Sequence, residues 1–396
     1  MACFWTPALV ASQPNPANIF SLPFDLFIFA MHIPTFTLGF LASLTAAAPS
    51  FTPWQSPECT EENALQRREW SALTENERKE YISAMECLMK KPSRYAAGEL
   101  PATKNYYTDF AAHHTSVARN IHMSGIFLSA HREYLSLMEK SLQEECGYPS
   151  DMGLPYWNWP DYLDKPLNES TLFDGSPLSL GADGEYLPNQ PPYVIGPEEA
   201  QLVKPILKEG DTIPRGSGGG CVIEGPFANT TVYLGPFSVI YSRTGLPDDW
   251  TEPNPHCLNR NLSDTAVSLL SNADAIDNLL ASTNITQFQT RLNPIHRGGH
   301  LGVGGSGGQM ADFFASPLDP AFWLHHAQID RLWAAFQDED PAERRYSYNG
   351  TDTFLNPPDT PEATNSTILD FGVLGENVTL EEVANPMAGR YCYKYV

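Results

Sequence analysis

Six histidines fall into two groups, His114, His122 and His131, then His296, His300 and His326. Eight of the chain's ten histidines lie in the windows 113–131 and 296–326, the others being His32 and His256. Neutral imidazole suits borderline ions such as zinc, copper and iron, and six imidazoles exceed what one mononuclear site uses. Two triads therefore imply two metal ions.

The spacings say how each ring could be presented. In Asn293-Pro-Ile-His-Arg-Gly-Gly-His300, Asn at the N-cap and Pro at the first helical position predict a helix start. His296 and His300 then stand one turn apart on one face. Gly298 and Gly299 weaken that helix by up to roughly 1 kcal/mol each relative to Ala, which is reasonable if something must approach closely. In Asp319–Trp333, His326 and Asp330 are also one turn apart, so the carboxylate either backs the imidazole or ties the helix down. His325 points about 100° away on a helix of 3.6 residues per turn, which predicts a supporting rather than ligating role. Gaps of eight and nine residues in the first group fit no single helix face. They predict His114 and His131 on neighbouring helices, with His122 on the loop between them and His113 a bystander.

Elements must bring these windows together. Apolar periodicity predicts helices over 66–90, 105–119, 126–144, 262–281, 293–300 and 319–338. Residues 150–256 are rich in proline and glycine, with strand-like pieces at Thr231–Leu234 and Ser238–Tyr241. Gly216-Ser-Gly-Gly-Gly220 lacks the Lys-Ser/Thr of a phosphate loop and predicts a flexible turn. No repeat is visible, and the histidine windows bracket the irregular middle, so one catalytic domain over 49–396 is expected.

With 42% apolar and 18% charged residues, the chain has the composition of a folded globular protein. Its net charge of −23, without a Lys/Arg cluster, disfavours nucleic acid and anionic membrane as partners. Residues 1–48 are expected to be a signal or leader segment cleaved near Ala46–Ala48. Asp25, Pro23 and Pro34 interrupt its apolar run, so no stable membrane span is expected. Cys59, Cys87, Cys146, Cys221, Cys257 and Cys392 form an even set suited to three disulfides. Fifteen pairings are open; Cys87 with Cys146 is favoured because both end helical patterns. Sequons at Asn168, Asn229, Asn261, Asn284, Asn349, Asn365 and Asn377 add to an expectation of secretion and glycosylation.

Over roughly residues 59–393 the chain resembles the type-3 copper family of tyrosinases, catechol oxidases and hemocyanins, and most of all the short fungal polyphenol oxidases. The resemblance is carried by Arg67-Arg-Glu-Trp70, the first histidine spacing, Pro155-Tyr-Trp-Asn-Trp159, Asp319–Trp333 and Tyr391-Cys-Tyr393. It implies a mainly α fold: a four-helix bundle holding a dinuclear metal site, with long loops and a few short strands. It implies one copper on His114, His122 and His131, another on His296, His300 and His326, and Phe322 beneath the pair. The implied chemistry is oxidation of o-diphenols or aminophenols to o-quinones by O2. No C-terminal shielding domain is expected, and so no need for proteolytic unmasking.

The chain also departs from that pattern. Relatives that hydroxylate monophenols hold a water with a glutamate and with an asparagine just after the first ligand of the second copper. Here the corresponding positions are Gln287 and Arg297, so weak or absent monophenolase activity is expected. Arg297 could grip an acidic substrate, and Leu301 would form part of the substrate wall. Ala130 replaces a common Trp, and Asn120 stands where some relatives carry a thioether cysteine. Two alternatives therefore stay open: a redox-silent zinc lyase resembling fungal cyclopenases, and a non-enzymatic O2 carrier.

Overall fold

Thr74 and Glu77 start the first helix with a reciprocal cap, each side chain binding the other's backbone N–H. That cap sets the start at Glu75, so the helix expected from residue 66 is shorter than its periodicity suggested. The preceding Leu65–Arg67 is instead a strand paired in parallel with Tyr393–Tyr395. The computed structural model describes residues 58–396. The expected leader, with His32, lies outside the described residues.

The helices are α1 (Glu75–Leu88), α2 (Tyr106–Ile121), α3 (Phe127–Cys146), α4 (Pro197–Val203), α5 (Tyr241–Thr244), α6 (Asp264–Leu270), α7 (Ala273–Leu280), α8 (Ile285–Gly304), α9 (Ala321–Asp338), α10 (Pro341–Arg344) and α11 (Leu380–Val383). The four that carry the histidine windows are α2, α3, α8 and α9. Within them α2 packs on α3, α3 on α9 and α9 on α8. The result is a mainly helical fold with short two-stranded ladders around it. Five tryptophans, Trp70, Trp157, Trp159, Trp323 and Trp333, are fully buried in its core.

Three expectations are corrected. The helix expected at 293 begins at Ile285: Asn284 caps it by accepting from the Gln287 N–H, and Pro294 lies inside. The stretch 262–281 is two helices, because Asn272 caps a new one through the Ala275 N–H. The strand expected at Ser238–Tyr241 is a turn leading into α5, closed by bonds from Tyr241 N to Ser238 O and Ser242 N to Val239 O. Thr231–Val232 does form a strand, against His256–Cys257.

Buried ion pairs fasten the loops to the bundle. Arg260 grips Asp319 at 2.8 Å through two nitrogens, and its Nη1 also donates to Leu180 O at 2.7 Å. Asp330 accepts from Arg132 Nε and the Tyr393 hydroxyl at 2.6 Å each, and from Tyr395 at 2.7 Å. Cys87 pairs with Cys146, as favoured from sequence, and the others are Cys59–Cys392 and Cys221–Cys257. Among the described residues no helix is long and apolar enough to cross a membrane.

Candidate metal centre

The first histidine group converges as its spacing required. His114 comes from α2, His122 is the extended residue that ends α2, and His131 lies in the first turns of α3. Each ring has its Nδ1 against a main-chain oxygen: His114 on Phe314 at 2.6 Å, His122 on Ala118 at 2.9 Å and His131 on Phe127 at 2.8 Å. These contacts fix the tautomer and turn Nε2 inward. The ligand atoms of the three lie within 4.8 Å of one another.

In the second group His296 and His300 project from one face of α8, with their Nε2 atoms 2.9 Å apart. His300 Nδ1 is held by Met310 O at 2.8 Å. One short segment thus orients a ring in each group, since Phe314 and Met310 lie on the same turn. Asp312 fixes that turn by accepting from the Phe314 and Ala315 N–H groups.

The structure brings His325 as well as His326 to within 4.8 Å of His296 and His300. Both neighbours on α9 therefore reach the cluster, the expected supporting residue His325 as well as His326. Their surroundings differ. His326 stacks on His131 of the other group, centroids 4.2 Å apart, and so faces across the site. His325 lies against Trp159 at 5.3 Å, and a Cβ on Gly299 would meet its ring at 2.2 Å. Gly299 is thus a close-approach glycine, as is Gly298, whose Cβ would meet Ser271 Oγ at 2.1 Å. Phe322 sits between the groups, its centroid 4.2 Å from His326 and 5.4 Å from His114.

Does this constellation fit a metal pair? His114 Nε2, His131 Nε2 and both ring nitrogens of His325 and His326 are buried without a hydrogen-bond partner. So dense a set of unsatisfied buried ring nitrogens is costly unless cations take up their lone pairs. Burial holds His122 down at about 4 and His325 at about 3, and the other cluster histidines well below 6.5. They are therefore neutral near pH 7, the form that donates to a metal. The donor set fits two nitrogen-ligated ions. His113 stays out of it: it bonds the Tyr134 hydroxyl and stacks on Phe371 at 5.7 Å. His256 lies elsewhere, on Asn254 O at 2.7 Å.

Above the second group opens a narrow cleft of about 20 Å³, lined by His122, Met123, Phe127, Leu202, Asn293, His296, Arg297, His300, Asp312 and Phe313. Three expectations for this region change. Arg297 lines the cleft but is not free to grip a substrate. Its guanidinium forms a bidentate pair with Glu199 at 2.7 Å on both arms and also donates to Tyr193 at 2.9 Å. Burial opposes its charge, yet Glu199 and Tyr193 outweigh burial and raise its pKa. Gln287 sits on the exposed first turn of α8, its Oε1 accepting from Thr283, away from the cleft. Leu301 is buried in a small apolar cluster, and its neighbour Leu202 forms the wall instead. Asp330 makes no hydrogen bond to His326, whose Nδ1 is unpartnered; it ties α9 down through Arg132 and the tyrosines.

Glu199, Tyr193 and Leu202 escaped the sequence reading because they lie some hundred residues from the histidines they serve. A signal was available. An arginine on the ligand-bearing helix face must find a carboxylate when buried, and Glu198-Glu199 after Pro197 is a candidate in the irregular middle. Of the sequons, Asn261 is withdrawn: it is completely buried, with its amide directed to Ser306 O at 3.4 Å. Asn168, Asn229, Asn284 and Asn377 are exposed, and Asn349 and Asn365 partly so.

Known proteins share this arrangement. The common central domain of tyrosinase matches residues 104–339. Tyrosinase P of Aspergillus terreus is 40% identical over 369 residues, covering 90% of this chain and 100% of that protein. N-acetyl-6-hydroxytryptophan oxidase of Emericella nidulans is 37% identical, covering 90% and 99%. Among solved structures, a mutant polyphenol oxidase from Thermothelomyces thermophila superposes with a TM-score of 0.76 at 35% identity, covering 86% of this chain and 91% of that one.

Proposed function

This chain belongs to the tyrosinase family of type-3 copper proteins, and on that premise we propose that it oxidises o-diphenols or aminophenols to o-quinones with O2, with little action on monophenols. One copper would be held by His114, His122 and His131, the other by His296, His300 and His326. When bound, the copper pair supplies the two-electron transfer from the ring to O2. The observation that carries the reading is the pair of facing histidine groups, four of whose rings (His114, His122, His131 and His300) are oriented through Nδ1 by main-chain oxygens, with the Nε2 atoms of His114, His131 and His326 buried and bare.

The protein's own part is orientation and exclusion of water. Phe127, Phe313 and Leu202 give the cleft apolar walls that suit a flat ring. Weak monophenolase activity follows from the carboxylates nearby. Glu199 is committed to Arg297, and Asp312 accepts from the N–H groups of Phe237, Phe314 and Ala315. Neither is placed to take a phenol proton. His326 is preferred to His325 as third ligand because it faces the other group. The names of the relatives, a tyrosinase and a hydroxytryptophan oxidase, support a phenolic substrate. They lend none to a zinc lyase or an O2 carrier. Secretion, glycosylation at Asn168, Asn229, Asn284, Asn365 and Asn377, and a single catalytic domain over 49–396 belong to the same reading.

Metal analysis with oxygen-uptake assays tests it. Purified protein should carry two copper ions and consume O2 with catechols and aminophenols. His326→Ala should fall to one copper per chain, and His325→Ala should keep two. Zinc in both sites with no oxygen uptake would refute the oxidase; copper loss on His325→Ala alone would reassign the ligand.

A further inference from the structure

Beside the cleft over the histidines lies a second hollow of about 140 Å³. The two adjoin, with Met123, Phe127 and Asn293 lining both. The second part also has Ser124, Gln289 and Asn349 in its lining and carries no charged side chain. Ser124 is only 6% exposed, and its hydroxyl has no partner in the protein. A buried hydroxyl without a partner costs free energy unless something else accepts from it. The amide of Asn349 is satisfied internally, by Gln289 Oε1 at 3.0 Å and Thr286 Oγ1 at 2.9 Å, leaving the Gln289 Nε2 hydrogens for another acceptor.

The frame around this hollow is rigid. Met123, Leu355 and Asn356 hold positive φ angles of 49°, 62° and 50°, conformations that non-glycine residues adopt only when their surroundings enforce them. Here the loop after His122 is stitched to the 350–356 segment. Gly125 N donates to Thr351 O at 2.7 Å, Leu355 N to Met123 O at 3.1 Å, and Asn356 Nδ2 to the same Met123 O at 3.1 Å. A Cβ on Gly125 would meet Gly350 O at 2.4 Å. The segment that presents His122 thus also presents Ser124 to the annex.

We propose that this annex binds a neutral, hydrogen-bond-accepting extension of the aromatic substrate, such as an amide or ester carbonyl, and that it selects against a free carboxylate. This deepens the oxidase reading and rests on it. Ser124 and Gln289 supply donors for a carbonyl oxygen. No cation is available for a carboxylate, because the Arg297 of the adjoining cleft is already neutralised by Glu199. A negatively charged tail would be desolvated without compensation.

Binding to protein loaded with copper(I) under argon, where neither the metal nor O2 can oxidise a catechol, tests the inference apart from activity. The probes are the N-methylamide of dihydroxyphenylpropanoic acid, the free acid, and an alkyl catechol of equal length. The amide should bind about tenfold tighter than the acid. Ser124→Ala should weaken the amide about fivefold while leaving the alkyl catechol's affinity in place. Gln289→Leu, at a partly exposed position, gives a second reading if the serine variant does not fold. Equal or tighter binding of the acid, or equal weakening of all probes in both variants, would overturn the proposal. Oxygen uptake with simple catechol in air reports separately on the oxidase reading.

Discussion

Replacing Asp330 by Asn should destabilise the fold severely while leaving metal capacity intact. The carboxylate is buried and accepts from Arg132 at 2.6 Å, Tyr393 at 2.6 Å and Tyr395 at 2.7 Å, with Arg67 Nη1 at 3.4 Å. Arg67 has a second carboxylate in Glu139, at 2.9 Å, whereas Asp330 is the only carboxylate paired with Arg132 among the described residues. Asparagine keeps one acceptor oxygen but leaves the Arg132 charge buried and uncompensated. Breaking a buried pair in this way costs about 3–5 kcal/mol. Burial alone would raise the Asp330 pKa, but Arg132, Arg67 and the tyrosine hydroxyls outweigh burial and hold it below the ordinary 3.8. The carboxylate's contribution is therefore complete above about pH 5 and fades as pH falls through the lowered folded value. Urea unfolding with disulfides intact, at neutral pH and stepwise toward acid, should show a large loss in the variant near pH 7 that narrows in acid. Metal content should stay at the parent value, because His326 makes no hydrogen bond to Asp330. A cost below about 1 kcal/mol, a gap that widens in acid, or loss of a metal would refute the reasoning.

Arg297→Gln should strand Glu199 and cost about 3 kcal/mol in the same unfolding assay, with no selective rise in KM for acidic catechols; such a rise would restore Arg297 as a substrate grip. Gly298→Ala places a Cβ 2.1 Å from Ser271 Oγ and 2.6 Å from Leu270 Cβ. It should cost roughly 1–3 kcal/mol from overpacking, despite alanine's better helix propensity; a stabilised variant would show that α6 yields. Cys392→Ser opens a link across 333 residues. It should cost roughly 3–5 kcal/mol, read as a lower thermal midpoint, with midpoint equality to the parent counting against that link.

The two histidine groups were legible because metal chemistry restricts both residue type and spacing. The helix end at Cys146 and Gly147 was legible too, since Gly147 takes φ 69° there. Element starts were less so. Asn293-Pro294 offers a sound start signal, yet Asn284 offers another nine residues earlier, and packing of the longer α8 on α6 and α9 decides between them. The partners of Arg297 were out of reach for a different reason. An ion pair spanning 98 residues leaves no local pattern, and the short helix α4 that carries Glu199 is too brief to announce itself by periodicity. The same holds for the main-chain oxygens on His114 and His300, because every residue has one.

Imidazoles steered by peptide oxygens rather than by carboxylate side chains keep their aim whichever residue contributes the oxygen, so few point mutations can disturb it. Selection is then free to rework the walls of the cavity, trading one aromatic guest for another, over a reactive centre that scarcely registers the change.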